Sequence, residues 1–310
     1  METASYREPG DWDRLPSRRV AVNGVELQVT DYGDGPLVLL CHGFPELGFS
    51  WRHQVFALAA AGYRVLVPDM RGYGASSRPS DADAYDIGTL AGDLVGLIDW
   101  AGASEAILVG HDWGAAVVWH TALAHPDRVR AVAGLSVPPQ PRPPVPPVAV
   151  LRKRLGEDFY MVWFQQPGVA DAVLGADVRR TLLTDDVKVS AWSGGSAAQR
   201  PPRPFMTEAE LAVFIAAFER TGFTGALNYY RNLDRNWALT EHYAGQRIDR
   251  PALFLTGSAD LVATFMPADR ITELVSDLRE HIVIDGGGHW IQQERADEVT
   301  QALLRFIRSL

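Results

Sequence analysis

Gly110-His111-Asp112-Trp113-Gly114 places an acidic side chain at the centre of a turn bracketed by glycines. Ile107-Leu108-Val109, just before it, is a short apolar run of the kind that forms a buried strand. Ala115-Ala116-Val117-Val118-Trp119, just after it, reads as the start of a helix. A strand, a tight turn and a helix lift the central side chain onto a sharp elbow. A carboxylate there is already anionic at neutral pH and attacks without a base. Its natural target is an electrophilic carbon, such as that of an epoxide or an alkyl halide, on which it alkylates itself. Asp is also a favoured helix N-cap, which would account for Asp112 taken alone; the glycines and the strand favour the nucleophile.

Such an intermediate is an ester, and its hydrolysis needs a base. Of the eight histidines, only His289 follows the last expected strand, in Asp285-Gly286-Gly287-Gly288-His289-Trp290, as the order nucleophile, acid, histidine requires. His42 and His111 belong to loops of the site but read as structural. Asp260, in Thr256-Gly257-Ser258-Ala259-Asp260, follows the penultimate strand and takes the acid position; Asp285 is a weaker rival, too close in sequence to face His289. The backbone N–H groups of Phe44, in His42-Gly43-Phe44-Pro45-Glu46, and of Trp113 follow two neighbouring strands and would form an oxyanion hole. Tyr160 and Tyr230 lie in aromatic helical stretches. Aromatics at such spacing usually build core, yet a phenol with a pKa of ~10 stays protonated and could serve an alkoxide leaving group as acid. Phe44, Trp113, Trp163 and Trp290 are candidate pocket walls.

The elements that must position these groups follow from periodicity. Arg19–Val22 and Val25–Tyr32 alternate and flank Asn23-Gly24, a hairpin signal. Apolar runs at Leu37–Cys41, Arg64–Pro68, Ala106–Val109 and Ala131–Leu135 alternate with helical segments at Trp51–Ala61, Ile87–Trp100 and Ala115–Ala124. That alternation predicts an α/β architecture, a mostly parallel sheet flanked by helices. It stops at the proline-rich stretch Pro138–Pro147, which is stiff, extended and unable to enter a sheet. Helical pieces follow at Glu157–Gln165, Asp177–Thr184, Glu208–Arg220 and Thr224–Arg231, with a mobile loop expected at Trp192–Phe205. Strands return at Ala252–Thr256 and His281–Ile284, and a helix closes the chain at Ile291–Ile307. The expected division is a core of residues 1–137 and 247–310, interrupted by an all-helical cap of residues 138–246.

The 310 residues and 47% hydrophobic content suffice for one large core carrying such a lid. A net charge of −9 argues against a nucleic-acid partner. The single cysteine, Cys41, excludes an intramolecular disulfide and fits a reducing compartment. No apolar run is long enough for a bilayer, and Met1–Asp13 lacks a signal-peptide core. The expectation is a soluble cytoplasmic protein, monomer or homodimer, working on a small molecule and water without metal or organic cofactor.

The motifs together resemble those of the epoxide hydrolases of the α/β-hydrolase fold, most closely the soluble type. They are His42-Gly43-Phe44-Pro45, Asp69-Met70-Arg71-Gly72-Tyr73-Gly74, Gly110-His111-Asp112-Trp113-Gly114, Phe164-Gln165-Gln166-Pro167-Gly168, Tyr229-Tyr230-Arg231-Asn232 and Gly288-His289-Trp290. The resemblance implies that Asp112 attacks, that His289 and Asp260 activate water, and that Tyr160 and Tyr230 hold the epoxide oxygen. It also implies a cis Phe44–Pro45 peptide. Mammalian soluble members carry an extra N-terminal phosphatase domain that is not expected here. Haloalkane and fluoroacetate dehalogenases share the Asp elbow. The former usually have Asn where this chain has Phe44, the latter Arg where it has Trp113, and neither needs the tyrosine pair. A serine esterase lacks its nucleophile here, and a silent binding module would be expected to have lost one of the reactive groups.

Overall fold

The computed structural model describes residues 6–184, 186–193 and 201–310. Part of the expected mobile loop, residues 194–200, lies outside them. Eight strands form one sheet: β1 (Ser17–Val22), β2 (Val25–Tyr32), β3 (Leu37–Cys41), β4 (Arg64–Pro68), β5 (Ala106–His111), β6 (Val129–Leu135), β7 (Ile248–Gly257) and β8 (Val275–Ile284). Their order is β1-β2-β4-β3-β5-β6-β7-β8. The β1–β2 hairpin turns at Asn23 and Gly24, at φ 44° and 76°, the left-handed pair that an Asn-Gly turn supplies. It meets β4 antiparallel, and all other pairings are parallel.

Strand periodicity divides the core in two. Leu39, Cys41, Leu66 and Leu108 face one apolar cluster; Val38, Leu40, Val65 and Val109 face the other. Both faces are covered, so the central strands read as unbroken apolar runs rather than alternating ones. The first cluster continues into the helical segment through Phe164, Phe214 and Tyr230. The chain runs from β3 outward to β4, then returns to place β5 on the other side of β3. The order reverses there, and crevices form at the strand C-termini beside such a reversal.

Between β6 and β7 the described residues form helices and irregular structure apart from one isolated bridge, and Pro147 opens the first helix, Pro147–Leu155. Four expectations need correction. The helix expected over Glu157–Gln165 is only Tyr160–Trp163. Its N-terminal backbone is used otherwise: Phe159 bridges Lys188, Tyr160 N–H donates to Val187, and Asp158 accepts from Val189. The closing helix is two pieces, Ile291–Glu294 and Ala296–Arg308, broken at Arg295, which sits at φ −127°. Trp192 belongs to a short helix, Val189–Ser193, rather than to the loop. The β7 and β8 strands also begin earlier than apolarity suggests, because β8 is an edge with one solvated face.

Candidate active site

Asp112 follows β5 at φ 53° and ψ −120°, a strained left-handed conformation for a residue with a side chain. The turn closes only because its brackets are glycines. A Cβ at Gly110 would overlap the Gly114 carbonyl, and one at Gly114 would overlap the Cys41 carbonyl of β3. The elbow is thus wedged between two strand ends, and the helix Trp113–Ala124 runs down from it.

His289 stands on the loop after β8. Its Nδ1 lies 3.2 Å from both carboxylate oxygens of Asp260, and its Nε2 lies 3.6 Å from Asp112 Oδ2. Asp260, after β7, is buried and also accepts from the Val262 N–H at 2.9 Å. With Nδ1–H given to Asp260, Nε2 is left facing Asp112. Burial alone would lower the His289 pKa, but the Asp260 and Asp112 carboxylates outweigh it and hold the pKa well above the usual histidine value. Burial tends to raise the Asp260 pKa, and the imidazole overrides it in the downward direction.

The other oxygen of Asp112 points away from His289. Oδ1 accepts the Phe44 N–H at 2.7 Å. The Trp113 amide opens the helix after Asp112, so its position denies it an intrahelical partner. The Phe44–Pro45 peptide is cis, as the resemblance implies. The two carboxylate oxygens are thereby differentiated, one held by a backbone donor, the other open toward the histidine.

Asp112, Tyr160, Tyr230, Asp260, His289 and Trp290 share the wall of one cavity of about 260 Å³. The rings of Tyr160 and Tyr230 meet edge to face, with centroids 5.8 Å apart. Burial first, and then the charge of Asp112, push both hydroxyl pKa values well above the tyrosine norm, so both stay protonated. Phe44 lines the same cavity. Two expected walls stand elsewhere. Trp163 packs beside Phe164 and does not line it, because Tyr160 and Phe164 occupy the inward side of their turn. Trp113 stacks edgewise on Tyr230 at 5.1 Å and lines a neighbouring cavity of about 340 Å³ under the proline-rich stretch.

Residues that sequence reasoning missed are Trp192, Val262 and Phe265 on the cavity wall, and the buried Glu46. Glu46 Oε2 accepts the Gly43 N–H at 3.1 Å and sits 2.7 Å from His111 Nδ1. The other nitrogen of His111 reaches the His289 carbonyl at 2.8 Å. Burial alone would raise the Glu46 pKa, but His111 more than offsets it and the result is about 2. The HGFPE stretch held the signal for Glu46, since a carboxylate directly after the oxyanion turn must find donors when buried.

A carboxylate on the elbow after β5 of a mostly parallel sheet, with an acid–histidine pair on the loops after β7 and β8, defines the α/β-hydrolase class. The sequence profile of the alpha/beta hydrolase fold matches residues 36–296. The chain is 50% identical to epoxide hydrolase A of Mycobacterium tuberculosis, over 94% of this chain and 97% of that one. It is 38% identical to epoxide hydrolase 1 of Siraitia grosvenorii, over 96% and 99%. The crystal structure of epoxide hydrolase A from Mycobacterium thermoresistibile superposes with a TM-score of 0.89 at 49% identity, covering 95% of this chain and 98% of that one. The chain belongs to the epoxide hydrolases of the α/β-hydrolase fold.

Proposed function

We propose that this chain hydrolyses epoxides to vicinal diols through a hydroxyalkyl ester on Asp112. The supporting observation is one cavity holding an elbow carboxylate, an acid-paired histidine and two protonated phenols. Asp112 Oδ2 forms a bond to an epoxide carbon as the ring C–O bond breaks. The departing alkoxide takes a proton from Tyr160 or Tyr230. Alkylation removes the charge of Asp112, and with it one of the influences that raise the His289 pKa. His289 then accepts a proton from water, the hydroxide attacks Asp112 Cγ, and the oxyanion forms on Oδ1 against the N–H groups of Phe44 and Trp113. Asp260 holds the imidazolium. Collapse releases the diol oxygen, which takes the proton from His289, and the acid proton left on Asp112 passes through water to the phenolate, so that carboxylate and phenol are both regenerated. Neither metal nor organic cofactor enters these steps.

The aromatic walls Phe44 and Trp290 favour largely apolar epoxides. Residues 138–246 act as the cap domain, and residues 1–137 and 247–310 as the core. No helix among the described residues is long and apolar enough to cross a membrane. A cytoplasmic monomer or homodimer completes the reading, supported by the buried free thiol of Cys41. Diol formation across aryl, alkyl and fatty-acid epoxides tests the function. Turnover of haloalkanes with every epoxide left untouched would replace it with a dehalogenase.

A further inference from the structure

Arg52 is a fully buried cation that touches none of the reacting groups. Its Nε donates to Glu210 Oε1 at 2.7 Å, and its Nη1 donates to Gln293 Oε1 at 2.6 Å. Glu210 belongs to the inserted helix Glu208–Thr221, where its second oxygen accepts from the Thr207 N–H and hydroxyl at 2.7 and 2.9 Å. One carboxylate therefore both caps that helix and anchors it to the core. Gln293 passes the connection inward, its Nε2 donating to Glu46 Oε1 at 3.0 Å. Glu46 in turn holds the Gly43 N–H and His111, and His111 holds the His289 carbonyl. The result is an unbroken buried path from an inserted helix to the backbone of the histidine and to the turn carrying the Phe44 N–H. A buried ion pair is weak evidence of stability, since apolar residues of equal volume often serve as well.

We propose that Glu210, Arg52 and Gln293 are positioning residues that make the placement of His289 and of the oxyanion turn depend on the seating of the cap. The proposal rests on the assignment of His289 as base for ester hydrolysis. A loosened link at Gln293 leaves the Arg52–Glu210 pair and the cap tyrosines in place, while Glu46 Oε1 keeps only its bond from Gln292 Nε2 at 2.8 Å and loses its tie to the cap. Its effect therefore falls on ester hydrolysis rather than on epoxide binding or ring opening.

The test is a double-mutant cycle of Gln293→Met and Glu210→Gln, the latter keeping a side chain competent for the capping box. Single-turnover kinetics separate alkylation from hydrolysis. Each variant should slow hydrolysis about two- to thirty-fold, the size seen for residues that couple sites without touching either. KM and alkylation should hold for Gln293→Met, and the double variant should be no slower than the slower single one. The amide resonance of Trp290, which adjoins the His289 carbonyl, should shift in Glu210→Gln, whose substituted side chain does not touch it. Additive losses confined to KM, alkylation and Tm would reduce the path to ordinary cap packing and overturn the proposal, as would a stationary Trp290 amide. The amide shift needs no substrate, so it decides the proposal even if ester formation fails and the base assignment falls with it.

Discussion

Replacing His289 by glutamine should trap the enzyme halfway. Its Nε2 lies 3.6 Å from Asp112 Oδ2, beyond hydrogen-bond reach, so ring opening does not draw on it as an acid or a base. Removing a ring whose pKa the Asp260 and Asp112 carboxylates hold well above the usual histidine value takes nothing from the attacking carboxylate, so alkylation should be as fast as before or faster. Hydrolysis of the ester loses its base, a contribution of roughly 10²–10⁴-fold. Starting from a typical turnover of about 10 per second, the ester lifetime lengthens from ~0.1 s to roughly 10–1,000 s. Intact-protein mass spectrometry after acid quench should find one adduct per chain on the peptide containing Asp112. The adduct should carry the whole substrate mass, because ring opening expels nothing; a haloalkane would leave its halide behind. A His289→Gln enzyme that binds epoxide but never shows the adduct would refute the covalent route and return Asp112 to the role of a helix cap. Turnover at the wild-type rate would refute the base assignment.

Asp112→Ala should abolish both adduct and diol, checked by the same mass measurement and by product chromatography. Tyr160→Phe and Tyr230→Phe should each slow alkylation in a stopped-flow experiment, with one phenol rescuing part of the rate; the double variant should lose the roughly 10²–10⁴-fold of a general acid. Glu46 and Glu210 are both held at about 2, down from the ordinary 4.5, so the stability they add is full above about pH 4.5 and disappears as the pH falls toward 2. The Tm should drop steeply across that window, and a flat profile would contradict both ion pairs. The His289 pKa is raised instead, so its contribution is full below the unfolded value of 6.5 and is lost as pH rises through the folded value. Gly114→Ala should destabilise the fold and silence it together, seen as reduced Tm and loss of adduct, because its methyl meets the Cys41 carbonyl.

The sequence by itself determined those features whose cause is local. The Asn23-Gly24 turn, the apolar strands at Leu37–Cys41 and Arg64–Pro68, and the glycine-bracketed Asp112 each follow from backbone sterics or from burial on both faces of a strand. Chain order and strand-end position singled out His289 and Asp260, and the structure brings the two side chains to 3.2 Å of each other. The tertiary structure alone decided what depends on partners distant in sequence. The helix at Tyr160–Trp163 is short because Val187 and Val189 claim the backbone before it. Trp163 turns from the cavity while Trp192 turns into it, since both follow the pitch of short helices whose start points no local signal marks. Glu46 and Arg52 gain their meaning from Gln293, more than two hundred residues on. A buried charge is read correctly only when its partner is known, and the chain supplies that partner by folding back on itself.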